Sequence, residues 1–364
     1  MTTALRRELL LCVPGLRGVP GLRHLFRDAA DHPGLALLGQ ALGRGKALPG
    51  GEEAAGVYGN AARLCGLAAA AADETAQPLA SWSLWGESQE TPPPAGGWLR
   101  ADPVWLEADR DRVVLRDLVS LDAAQARVLV TLLNEHLSAE GLHIEAVSPR
   151  RWYLRMQDEQ ARALQTWPPY RALGQDIHPF MPAGPAGGRW RRLLNEIQML
   201  LHECPVNAAR REAGQPPVNS VWFWGGGVSS RAAAGQTQAD SRTVALQGVW
   251  SDDPVLRGLG RVRGAACAPL PPDAAAWLAH AGAGTHLVFC DAPWLPALRG
   301  EPEEWADCLA QWQRDWLAPL LEALKTGDLD ALRLYDGGGT GWDLAGWRRP
   351  RFWPVRRRAF REWL

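Results

Sequence analysis

Several short stretches of the chain are apolar almost without a break. Residues 9–13 (LLLCV) close on Pro14-Gly15, and Ser220–Trp224 (SVWFW) stops on three glycines; residues 244–250, 285–290 (THLVFC) and 332–335 share the texture. Runs of this length predict strands buried on both faces, as in a parallel sheet. Helical stretches lie between them. Residues 305–324 place Trp305, Leu309, Trp312, Trp316, Leu317, Leu320 and Leu321 at helical spacing, which gives one broad apolar face. Pro319 inside that stretch predicts a kink or a split. Strands alternating with helices predict an α/β sheet covered on both sides.

A different texture occupies residues 115–214. Ala123–Leu137 reads as an amphipathic helix capped by Ser120 or Asp122. Residues 142–147 and 151–155 alternate like half-buried antiparallel strands. Residues 189–204 form a strong helical pattern that Pro205 ends. These patterns predict a core built from residues 1–114 and 215–364, with 115–214 as an inserted α+β subdomain. Breaks fall at 89–97, 183–188 and 228–242, and the last is the expected mobile loop.

Bulk properties narrow the function classes. The chain has 364 residues and a net charge of −1, so no global field draws it to nucleic acid or an anionic membrane. No apolar run approaches the roughly 18 residues of a membrane helix. The apolar run near the first residues is shorter than a signal h-region, and the expected location is cytoplasmic. Six scattered cysteines predict reduced thiols. The 19 tryptophans, against 4 tyrosines and 6 phenylalanines, predict extended contact surface.

The stretch CPVNAARREAGQPPVNSVWFWGGG, from Cys204 to Gly227, carries the main candidate chemistry. A polar turn with Asn207 and Arg210 leads through Asn219 into a strand that ends on Gly225, Gly226 and Gly227. Ligands of open α/β sheets collect beyond the carboxyl ends of strands. Successive glycine amides there can form an anion nest, and arginines can clamp phosphate or carboxylate. The same glycines would also serve a tight turn under large indoles.

The segment from Arg189 through GGG resembles bacterial RpfE-type regulatory or cofactor-independent phosphoglycerate mutase-like proteins. More distantly it is similar to archaeal-type phosphoglycerate mutases of the alkaline-phosphatase superfamily. The likeness also takes in VPGLRG near the start, residues 98–115, GQDIHPFMP (174–182), VWSDDPVLRGLGRVRG (249–264) and residues 312–324. It implies an alkaline-phosphatase-like, mostly parallel sheet flanked by helices, with an inserted subdomain. For the true mutases it implies a two-metal site that transfers a phosphoryl group, with Mn or Mg as cofactor. Their ligands arrive as an Asp-Gly-Leu-Gly turn after the first strand, an Asp-x-x-Gly-His run and a late Asp-His pair.

This sequence departs at each. Pro14 stands where the first aspartate is expected. Asp291 follows THLVFC without a Gly-His, and Asp336 lies late in the chain without a histidine beside it. The expectation is therefore a mutase-like protein that has lost the two-metal site and binds a small phosphorylated or carboxylated metabolite in a regulatory role, with no metal cofactor. The alternative is an active mutase with a rearranged site using Asp291 and Asp336. Residues 336–343 (DGGGTGWD) read as a strand-to-strand loop, and Ser81–Gly86 as turn and strand, with no GxSxG elbow. The C-terminal stretch interleaves seven arginines with aromatics. It is read as packing on the core or as a protein-partner contact rather than a nucleic-acid surface.

Overall fold

The structure, a computed structural model, describes residues 6–19, 21–48, 51, 53–67, 73–88, 96–157, 160–161, 163–229, 245–348 and 359–364. The chain forms two compact units, one from Met1–Asp73 with Thr237–Leu364 and one from Glu74–Gln236. The expected mobile loop lies almost wholly outside the described residues, as do Phe352 and Trp353 of the arginine-rich stretch.

In the first unit β1 (Arg7–Cys12) lies at the centre of a mainly parallel sheet. It pairs in parallel with β11 (Gly284–Phe289) on one side and β12 (Ala331–Tyr335) on the other. Beyond β11 come β9 (Leu246–Trp250) and β10 (Ala266–Ala268), also parallel. Beyond β12 the edge turns antiparallel through β13 (Gly341–Asp343) and β2 (Lys46–Leu48). Leu9 and Leu11 are fully buried in one core with Trp277, Trp305 and Leu332. Burying such side chains is worth about 1.5–3 kcal/mol each. This is the mixed α/β class the apolar runs predict.

Helices Pro302–Trp312 and Ala318–Thr326 flank that core, joined by a π turn at Gln313–Leu317. Helical backbone continues through that wide turn, with the Ala318 N–H bonded to the Gln313 carbonyl. The stretch is therefore widened rather than split just before Pro319, which supplies no N–H. The wide turn also buries Gln313, whose Oε1 accepts from the Leu38 N–H at 2.7 Å.

The second unit has an antiparallel sheet organised by one long strand, β3 (Gly96–Asp109). Its second half pairs with β4 (Arg112–Leu118) and its first half with β6 (Arg151–Met156), which carries β5 (Ile144–Ser148). On β3 also lie β7 (Ser220–Trp224) and the short β8 (Val228–Ser229). Helices Ala123–Leu137 and Gly187–His202 bury Leu129, Leu133, Trp190 and Ile197 against Leu99, Trp152 and Phe223. Asp122 caps the first helix, accepting from Gln125 N at 2.8 Å.

Two sequence expectations need correction. The boundaries lie at 73/74 and 236/237 rather than 114/115 and 214/215. The reason is β7, which joins the antiparallel sheet through β3 and not the parallel one. All five of its residues are buried, and a strand inside either kind of sheet can lose both faces to packing. Second, Ser81–Gly86 belongs to a helix, Leu79–Glu87. With small residues alternating among its tryptophans, that stretch has no period clear enough to separate helix from strand.

Candidate functional site

The residues expected to form an anion pocket all lie in the second unit, and their polar atoms hold the chain together. Pro205 does end the helix before it, but it also opens a new one, Pro205–Glu212. Asn207 and Arg210 therefore sit on a helix rather than a polar turn. Asn207 is 1% exposed. Its amide donates to the Leu201 and Val218 carbonyls, both at 2.7 Å, and its Oδ1 accepts from Val218 N at 2.8 Å. Arg210 donates from Nε to the Pro216 carbonyl at 2.8 Å and from Nη1 to Gln125 Oε1 at 2.9 Å.

Asn219 imitates a strand residue. Its Oδ1 accepts from Leu106 N at 2.8 Å and its Nδ2 donates to Leu106 O at 2.7 Å. Gly225 has φ +74°, and a Cβ there would meet Ala80 N at 2.7 Å. On Gly227 a Cβ would lie 2.7 Å from Pro78 N. On Gly226 it would lie 3.1 Å from Leu99 Cδ2. Gly225 and Gly227 let β7 end against the start of Leu79–Glu87, their absent side chains making room for backbone, while Gly226 faces the Leu99 side chain.

Beside them lies a buried ionic network that the sequence reading missed. Arg100 grips Asp102 with Nε and Nη2, both bonds 2.9 Å, and donates from Nη1 to Ser83 Oγ at 2.8 Å. Trp224 Nε1 donates to Asp102 at 2.8 Å, and the Ser83 and Tyr153 hydroxyls bond at 2.7 Å. Burial raises the Asp102 carboxyl, and Arg100 opposes the rise. Arg100 and Asp102 are two apart on β3, so they share a face. That spacing is the signal that could have found them.

The carboxyl ends of the parallel strands in the first unit carry the other candidates. Pro14 lies just past β1, buried between its neighbours. Asp291 follows β11 and Asp336 follows β12, so they flank the end of β1. Two strand spacings of about 4.8 Å separate their backbones by roughly 10 Å.

Asp336 is 7% exposed. Its Oδ1 accepts from Gly338 N and Thr340 N, both at 2.9 Å. Its Oδ2 lies 3.4 Å from Arg17 Nη1, which also donates to Thr340 Oγ1 at 3.1 Å. Burial raises its carboxyl, and the loop amides and Arg17 pull it back. Residues 336–340 are the turn of the β12–β13 hairpin, as expected for a strand-to-strand loop.

Asp291 has other company. Although its residue is surface-accessible, desolvation first, then the charges of Asp253 and Asp252, raise its carboxyl to about 6. Asp253 caps the helix Pro254–Val262, accepting from Val255 N at 2.7 Å, and accepts from the Tyr58 hydroxyl at 2.9 Å. Asp252 accepts from Leu270 N at 3.2 Å. The SDDP run after β9, Ser251–Asp253 entering Pro254, was the legible signal for this acidic group. Arg17, in VPGLRG, was likewise visible but unweighed.

A two-ion cage is what the mutase resemblance implies at these strand ends. Such a centre needs cations about 3.5–4 Å apart, held by shared carboxylates and imidazoles. Here Asp336 is turned into its own loop and Arg17, a fixed positive charge, while Pro14 offers no ligand between the halves. Among the described residues, no group of three or more His, Cys, Asp or Glu is placed to hold a metal ion. Among the same residues no helix is long and apolar enough to cross a membrane.

No family model matches the chain. Over 111 residues, 30% of this chain and 28% of the other, it is 29% identical to a 2,3-bisphosphoglycerate-independent phosphoglycerate mutase of Methanosarcina barkeri. A namesake in Methanosarcina mazei is 24% identical over 140 residues, 38% of this chain and 34% of that one. A probable enzyme of this name in Geobacter sulfurreducens is 37% identical over 67 residues, 18% of this chain and 17% of the other. The matched segments span about a third or less of those proteins. In structure the chain is similar to the PH0037 protein of Pyrococcus horikoshii, with TM-score 0.52 and 13% identity over 93% of this chain and 87% of that one. The chain is thus a distant relative of cofactor-independent phosphoglycerate mutases over part of its length.

Proposed function

We propose that this is a phosphoglycerate mutase-like protein that has lost two-metal phosphoryl transfer and works by binding a small phosphorylated or carboxylated metabolite, in a regulatory role of the RpfE type. One observation carries the reading: Arg17 and the loop amides of Gly338 and Thr340 engage the carboxylate of Asp336, while Pro14 stands at the end of β1. A guanidinium keeps positive charge at a strand end without Lewis acidity. It holds an anion but cannot clamp attacking and leaving oxygens together.

Metal analysis of the purified protein, with a 3-phosphoglycerate turnover assay in added Mn²⁺ or Mg²⁺, tests it. The expected result is no tightly held divalent ion and no turnover. Stoichiometric metal with turnover above background overturns the reading.

A second reading has one observation in its favour. With its carboxyl near 6 and two further aspartates beside it, Asp291 has the perturbed titration of an acid–base group or a metal ligand. Turnover that is abolished by Asp291→Asn would establish this active form, with Mn or Mg as its cofactor.

A further inference from the structure

The end of β1 is covered by the chain itself. Phe360, 3% exposed, stacks on Trp305 with ring centroids 6.0 Å apart. Trp305 in turn donates its indole N–H to the Gly15 carbonyl at 2.7 Å. Arg361 pairs with Asp31 at 2.9 Å, and Trp363 meets Trp342 edge-on at 6.3 Å. Anchored on three sides, the turn Phe360–Trp363 presents the Trp363 carbonyl to Arg17 Nε at 2.7 Å.

That bond uses one edge of the guanidinium. Nη1 faces Asp336 and Thr340. Nε and Nη2 form the other edge, the geometry that takes two oxygens of a carboxylate or phosphate in parallel. A neutral carbonyl sits there now. An oxyanion would bring a full opposite charge and a second acceptor to the same edge, a bidentate pairing. The charges that act on Arg17 are Asp336, Arg23 and Glu53; Arg23 supplies a second cation, and Asp336 is already shared with loop amides.

We propose that Arg17 is an oxyanion-binding residue whose Nε–Nη2 edge is occupied by the Trp363 carbonyl, so that the 359–364 segment competes with a small phosphorylated or carboxylated ligand. This rests on the metabolite-binding reading above and gives that site its anchoring residue and its regulation. Displacing the segment exposes the edge, and occupying the edge displaces the segment. The two events are reciprocal by linkage.

Three proteins titrated calorimetrically with inorganic phosphate test this: the full chain, a chain stopped after Arg361, and that shortened chain with Arg17→Gln. Stopping after Arg361 keeps Phe360 in the core while removing the Trp363 carbonyl. The shortened chain is expected to bind phosphate at least tenfold more tightly than the full one, and Arg17→Gln is expected to erase the gain. Equal affinity of the full and shortened chains overturns the proposal, as does a gain that survives Arg17→Gln. Should the shortened chain fail to fold, Arg361→Glu in the full chain sets like charge against Asp31, loosens the same turn, and is read by the same criteria. Turnover of 3-phosphoglycerate on the same samples keeps the two readings apart. Turnover would sink the loss of catalysis and leave the phosphate comparison standing, whereas unchanged phosphate affinity without turnover would sink only the covering segment.

Discussion

Arg17 Nη1 and Asp336 Oδ2 lie 3.4 Å apart across the end of β1, joining the loop after the first strand to the hairpin after the last parallel one. The pair is 319 residues apart in sequence and nearly enclosed. It sets a permanent cation beside the end of the first parallel strand.

Asp336 is expected to matter as an acceptor more than as a charge. Asp336→Ala strands the Gly338 and Thr340 amides and leaves Arg17 without its carboxylate, at a cost of about 2–4 kcal/mol. Asp336→Asn keeps an acceptor oxygen for both amides and is expected to lose about 1 kcal/mol. Urea unfolding of the two variants measures the difference, and equal losses would contradict it.

Asp291 is expected to make stability fall as pH rises. Its folded carboxyl titrates at about 6, above the roughly 3.9 of an unfolded aspartate. Between those values the folded chain holds a proton that the unfolded chain releases, so stability is full below about pH 4 and declines up to about pH 6. Asp291→Asn removes the titration. Its unfolding free energy should exceed that of wild type at pH 7, by about 1 kcal/mol after allowance for solvent screening, and the gap should close at pH 4. A constant gap would show that the carboxyl is not the cause.

The Arg100–Asp102 pair should behave as one unit. Removing either partner leaves a buried charge, at about 3–5 kcal/mol. Arg100→Met with Asp102→Leu removes both charges and is expected to cost at least 1 kcal/mol less than the sum of the singles. Additive losses in a double-mutant cycle would show the two to be independent.

Asn207 should prove structural. Asn207→Ala leaves the Val218 N–H and carbonyl without their side-chain partner, at about 2–4 kcal/mol, while phosphate affinity of the chain stopped after Arg361 should not change. A loss of affinity without a loss of stability would restore the anion-pocket expectation.

Some of this was open to reading in the chain. The strands at β1, β9, β11 and β12 were legible because a strand buried on both faces must be apolar throughout. The hairpin after Tyr335 was legible from its glycines. Asn207, Arg210 and Gly225–Gly227 are ambiguous in sequence for a physical reason. A donor that grips phosphate and a donor that closes a loop onto a carbonyl are the same residue type in the same local pattern. Only the identity of the acceptor separates them, and for Asn207 that acceptor includes Val218, eleven residues away.

Local periodicity therefore determined the apolar strands of the parallel sheet and the helices at Ala123–Leu137 and Gly187–His202, and the sequence placed a proline at position 14, just past the first of those strands. Tertiary structure decided the rest. It assigned β7 to the antiparallel sheet, turned Asp336 toward Arg17, set Asp291 in the field of Asp253, and laid the Trp363 carbonyl on a guanidinium. Pairing between distant segments depends on which surfaces close against each other in three dimensions, and the order of residues along one segment does not encode that choice by itself.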